Sequence, residues 1–112
     1  MIEIKKLTDG DEKNISLKSG EMCYVAREGD RVLGSCVFVF DGEAVRLVSL
    51  ETTEKSFAIA DGLARSAVAS LSELAQFVVI DGNGEELTKF RDACGFFTDN
   101  RTKIENFFKT CC

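Results

Sequence analysis

Lys55, Ala58 and Ala60 stand in the stretch EKSFAIADGLARSA, where the hydrophobic pattern turns helical. A cation followed by small residues at a helix start is chemistry for an anion. The first backbone N–H groups of a helix lack partners inside it and sit at the positive end of its dipole, so together they suit a diphosphate. Methyl side chains at Ala58 and Ala60 let phosphate oxygens approach the backbone, and Lys55 adds a charge. The plain alternative is a helix start rich in alanine for its propensity and for close packing on a sheet.

Other residues narrow the chemistry. Glu51, just upstream, is placed to accept a proton directly or through water; its plain reading is a solvated carboxylate at a strand end. The chain has no histidine, which removes every Ser-His or Cys-His relay. Five cysteines (Cys23, Cys36, Cys94, Cys111, Cys112) form no CxxC pair and have no histidine to complete a zinc set, so no metal site is expected. They read as free thiols of a reducing compartment, with Cys36 and Cys94 among apolar neighbours as core thiols. The adjacent pair Cys111 and Cys112 is exposed on this reading, able to oxidise or cross-link, or idle. Tyr24, the single tyrosine, reads as a packed strand aromatic with its hydroxyl at the rim.

Composition sets the frame for these groups. The net charge of -5 and the lack of a basic patch argue against nucleic acid as a partner. No run approaches the ~18 apolar residues of a membrane span, and the start MIEIKKLTDGDEK lacks a secretory apolar region, so a cytoplasmic protein off the membrane is expected. The 112 residues fit one domain, 1–112, with one modest core.

The elements that must position the helix start follow from periodicity. MIEIKKL alternates as a half-buried strand. Residues 21–28 and 31–40 are rich in β-branched and aromatic residues and flank Gly29-Asp30, which predicts an antiparallel hairpin. Residues 43–51 add a strand with apolar positions at Val45, Leu47 and, shifted by one, Val48 and Leu50. A helix over 57–74, capped by Ser56, carries a stripe from Ala60 to Ala75 at spacings of three and four. FVVI at 77–80 reads as a strand covered on both faces and parallel to its neighbour. Asn83 and Glu86 have capping-box spacing for a short helix over 85–94 that ends at Gly95. Asp99 or Asn100 caps a terminal helix carrying Ile104, Phe107 and Phe108. The fold class is α/β (α+β): an antiparallel meander, a β-α-β unit and a short C-terminal helix.

With that order, the chain resembles a small, divergent member of the GNAT superfamily of acyl-CoA-dependent N-acyltransferases over residues 21–96. The family loop, Gln/Arg-x-x-Gly-x-Gly/Ala, overlays Lys55, Ala58 and Ala60, with Ala58 in place of the first glycine. The resemblance implies a GNAT-like mixed sheet binding acetyl-CoA or coenzyme A through the amides of Phe57, Ala58, Ile59 and Ala60, with Lys55 nearby and Leu50 facing the pantetheine arm. It implies transfer of an acetyl group to a small-molecule or peptide amine, with Glu51 as base. KFRDACGF matches the family's short helix ending in Gly-Phe, but Arg91 stands where the family carries a tyrosine acid. Only residues 8–20 separate the first two strands, too few for the family's two acceptor-site helices. Those departures leave open a non-catalytic scaffold acting as a protein-interaction or homodimerisation module. On this reading Ala60→Asp weakens coenzyme A binding without unfolding the protein.

Overall fold

A computed structural model describes residues 2–7 and 17–109. The elements run β1 (Ile2–Lys6), β2 (Met22–Glu28), β3 (Arg31–Phe40), β4 (Ala44–Thr52), α1 (Phe57–Ser70), β5 (Phe77–Ile80), α2 (Glu85–Cys94), β6 (Arg101–Lys103) and α3 (Glu105–Lys109). The strands form one sheet in sequence order, antiparallel at every junction except β4 with β5. The expected β-β-β-β-α-β-α order is present; β6 is an added strand, and the expected terminal helix is the short α3, which takes in Phe107 and Phe108 but not Ile104. The segment 8–16 and the pair Cys111 and Cys112 lie outside the described residues.

Gly29, at φ 62, makes the β2–β3 turn with Asp30, as turn chemistry demands. In β2 and β3 the alternation sends Tyr24, Ala26, Cys36 and Phe38 to the face where α1 packs. That face of α1 is mostly alanine, with Ala60, Ala64 and Ala67 around Leu63 and Val68, all buried, so the helix lies close to the sheet. Gly34 admits Leu63: a Cβ there would come within 3.1 Å of the Leu63 Cδ1. Burying Leu63 fully contributes about 1.5–3 kcal/mol. Leu87 and Phe90 of α2 and Phe107 of α3 close the same core. Arg65 ties α3 down, donating to Asp61 at 3.0 Å and to the Phe107 carbonyl, with its guanidinium 5.8 Å from the Phe107 ring centre.

Four local expectations change. α1 ends at Ser70, and residues 71–74 tighten into short turns, Leu71 N–H to Val68 O and Leu74 N–H to Leu71 O. β5 is not covered equally on both faces: Val78 and Ile80 are buried, whereas Phe77 and Val79 are half-buried, and Arg101 lies over the Phe77 ring at 4.0 Å. Asn83 and Glu86 form no capping box; Gly84 is the cap and makes no side-chain bond. Asp99 and Asn100 cap no helix. Both have positive φ, 51 and 65, and form a two-residue turn between Thr98 and Arg101, which exchange hydrogen bonds at 2.9 and 3.0 Å.

Candidate functional site

The parallel pair β4–β5 runs from Ala44 opposite Phe77 to Leu47 opposite Ile80, and then the strands part. β5 stops while β4 continues to Thr52. A bulge helps to separate them. Val37 faces Ser49 and Phe38 faces Leu47, so Val48 is an extra residue on β4. That extra residue also reverses which way the backbone points. Thr53 N–H donates to Leu33 O on β3 at 2.9 Å, whereas Thr52 N–H turns the other way and donates to Glu86. The same alternation directs the N–H and C=O of Leu50 away from β3 and into the gap. The Leu50 side chain is only 2 % exposed and belongs to the core, so its backbone faces the gap.

The resulting fork is a cleft of about 600 Å³ lined by residues 48–52, Lys55 and residues 81–86. Gly82 sits at its crotch. A Cβ on Gly82 would stand 2.3 Å from the Val48 carbonyl oxygen and 3.1 Å from Leu87, so only a bare α-carbon lets the chain leaving β5 cross so near the bulge.

The start of α1 follows directly on Lys55, which lines the cleft, but no residue of the helix itself does. Ser56 caps the helix: its Oγ accepts from Ile59 N–H at 3.3 Å and its carbonyl accepts from Ala60 N–H at 3.0 Å. Of the four amides singled out in the sequence, those of Phe57 and Ala58 bond to no described residue, while those of Ile59 and Ala60 are engaged. Ala60 itself is 4 % exposed and packs in the core. The expectation that Ala60→Asp leaves the fold intact is therefore corrected, because an aspartate there would bury an unpaired charge. Ala58 is exposed, and Phe57, half exposed, stacks on Phe90 at 6.3 Å. Lys55 holds a left-handed backbone, φ 51, and its ammonium lies 3.4 Å from Glu85. The hydrogen bond from Lys89, followed by the charge of Lys55, keeps the Glu85 carboxyl below its ordinary pKa.

Glu51 is exposed along the cleft wall, one residue before Thr52. Arg91 is elsewhere. It donates to Asp92 at 3.0 Å and to Asn100 Oδ1 at 2.8 Å, bracing the Asp99-Asn100 turn, and does not line the cleft. Tyr24 packs against Phe38 at 5.8 Å and is also absent from the lining. Cys23, Cys36 and Cys94 are unpaired. Burial pushes the Cys36 thiol pKa far up, and burial with the nearby Asp61 pushes Cys94 up to about 11, so neither is primed as a nucleophile. Glu86, Thr52 and Gly82 belong to the site without having been singled out for it. The run Asp81-Gly82-Asn83-Gly84 directly after FVVI was the available signal for Gly82. No cluster of metal-ligating side chains occurs among the described residues, and no helix among them is long and apolar enough to cross a membrane.

No protein-family model matches the sequence, and no curated protein matches it. Solved structures do match the fold. A protein from Exiguobacterium sp. 255-15, provisionally named an acetyltransferase, superposes with a TM-score of 0.69 at 15% identity, over 100% of this chain and 99% of that one. Ribosomal-protein-alanine N-acetyltransferase from Brucella melitensis biovar Abortus 2308 gives 0.69 at 13% identity over 88% and 94%. A GNAT family acetyltransferase from Elizabethkingia anophelis with acetyl-CoA bound gives 0.58 at 18% identity, and this chain, over 70% of its own residues, spans 63% of that longer protein. The antiparallel meander, the parallel fork at β4–β5 and the helix that joins its arms give this chain the GNAT acetyltransferase fold.

Proposed function

We propose that the chain is an acyl-CoA-dependent N-acyltransferase that binds acetyl-CoA in the fork and passes the acetyl group to an amine. The observation that carries this reading is the open edge of β4 beyond the bulge. A pantetheine arm bears amide groups, and the N–H and C=O of Leu50 can pair with them as a strand would. The diphosphate then lies at the start of α1, against the free amides of Phe57 and Ala58, with Lys55 beside it. Ile59 contributes only if the phosphate takes over from the Ser56 hydroxyl, and Ala60 acts as packing beneath the site.

The chemistry asks little of side chains. The amine nitrogen attacks the thioester carbon, the carbon–sulfur bond breaks, and sulfur leaves with the electron pair. Glu51 on the cleft wall takes the proton lost by the amine, directly or through water. An alkyl thiolate has a conjugate acid pKa near 8.5, so it departs and is reprotonated by water without the tyrosine that Arg91 replaces. Positioning on the β4 edge supplies the main rate gain. The acceptor is a small-molecule or peptide amine, the unit is the single domain 1–112, and its unpaired thiols suit the reducing cytoplasm.

Calorimetric titration with acetyl-CoA and coenzyme A tests this directly. Saturable binding of both is expected, with acetylated product detected by mass spectrometry across a panel of primary amines. Lys55→Ala should weaken binding by less than about tenfold, because an exposed ion pair contributes ~1 kcal/mol or less. No heat with either ligand at millimolar concentration would end the proposal.

A further inference from the structure

Glu86 stands in the first turn of α2 on one side of the fork, and Thr52 ends β4 on the other. The carboxylate bridges them. One oxygen accepts the Thr52 backbone N–H, and the other accepts the Thr52 hydroxyl at 3.0 Å. That hydroxyl in turn accepts Ser56 N–H at 2.9 Å, so a single carboxylate secures the end of β4 and the entry to α1. One residue earlier, Glu85 reaches Lys55 across the same mouth.

These contacts engage the groups that a ligand in the fork would use. Thr52 N–H is the edge donor after Leu50, and Lys55 is the cation lining the cleft beside it. On the other side, α2 begins at Gly84 with no side-chain cap, so its first turn is not fastened by a capping bond to the irregular residues 81–84. From this arrangement we infer that Glu86 is a latch across the mouth of the fork, closed on Thr52 in this structure and displaced when a ligand runs along the β4 edge. The inference rests on the coenzyme A reading of the fork. Hydrogen bonds to an ionised carboxylate are stronger than neutral ones, so two of them keep the closed form dominant. If the open form holds a tenth of the molecules, apparent affinity is tenfold below its intrinsic value, and removing the latch restores it.

Coenzyme A is titrated calorimetrically into the wild type, Glu86→Ala and Glu86→Gln. The alanine variant should bind about tenfold more tightly, and the glutamine variant, uncharged but of the same shape, several-fold more tightly. If the wild type binds and both variants bind equally or more weakly, Glu86 is a structural strut and the latch is refuted, while the coenzyme A reading stands. Binding by the variants alone supports both ideas, and no binding by any of the three overturns both. Should Glu86→Ala fail to fold, Glu86→Gln decides by the same criterion.

Discussion

Gly82→Ala puts the geometry of the fork to a test that needs no ligand. The added methyl would begin 2.3 Å from the Val48 carbonyl oxygen, about 1 Å short of ordinary contact, and 3.1 Å from Leu87 Cδ2. Leu87 can rotate, but the carbonyl is main chain and held in the sheet. Either the loop after β5 lifts away or β4 bends, and overpacking of this kind costs about 1–3 kcal/mol. For a chain of this size each kcal/mol lowers Tm by about 4 °C, so thermal unfolding followed by circular dichroism should show a drop of roughly 4–12 °C. Gly84→Ala is the control two residues on. Nothing lies within 4 Å of its Cβ position, and the entropy removed from the unfolded chain offsets a poorer helix cap, leaving stability within about 0.5 kcal/mol of wild type. A Gly82→Ala protein as stable as that control would show that the strands part for another reason.

Ala60→Asp should lose at least ~3 kcal/mol in urea denaturation, since it places a charge among Leu63, Ala64 and the sheet with no partner. Asp41 accepts backbone hydrogen bonds from Ala44 and Glu43 and a side-chain bond from Arg46, which lower its pKa to about 2. A depressed carboxylate stabilises the fold above its unfolded pKa of about 3.9 and loses that contribution as pH falls towards 2, so the Asp41 carboxyl followed by NMR should still be ionised at pH 3. Iodoacetamide at pH 8 should leave Cys36 unmodified in the native protein and modify it in urea, as judged by peptide mass spectrometry, because the thiol is fully buried and its pKa is raised.

The parts of the fold legible in sequence were those where one local rule acts alone. Gly29-Asp30 marked a hairpin because the turn needs a positive φ, and Gly95 marked the end of α2 for the same reason. The apolar stripe found α1 but overran its end. Ala75 is buried in phase with the helix, yet Leu74 between them is 64 % exposed, and neither glycine nor proline announces the stop. Asp99-Asn100 misled because the same short polar side chains serve helix caps and tight turns, and pairing of β6 with β5 decided between them. Along the cleft, Glu51 and Lys55 were readable from position. Two features were not. That Ser56 would consume two of the four amides depends on cap geometry, and the partner of Glu86 lies 34 residues away on another element.

The extra residue at Val48 makes the fork a matter of parity. Whether the backbone groups at 50 and 52 face β3 or the gap depends on Val48 standing outside the ladder, and hardly at all on which side chains the strand carries. Side-chain replacements along 48–52 that keep strand propensity should leave the open edge in place, even where they alter the cleft wall. Were Val48 drawn into the ladder with every residue kept, the groups at 50 and 52 would turn towards β3, whereas removal of Val48 would leave them facing the gap, because Leu47 and Ser49 already pair with adjacent residues of β3. A scan of substitutions would pass over this segment as permissive, and deletion of Val48 would remove the kink while keeping the open edge.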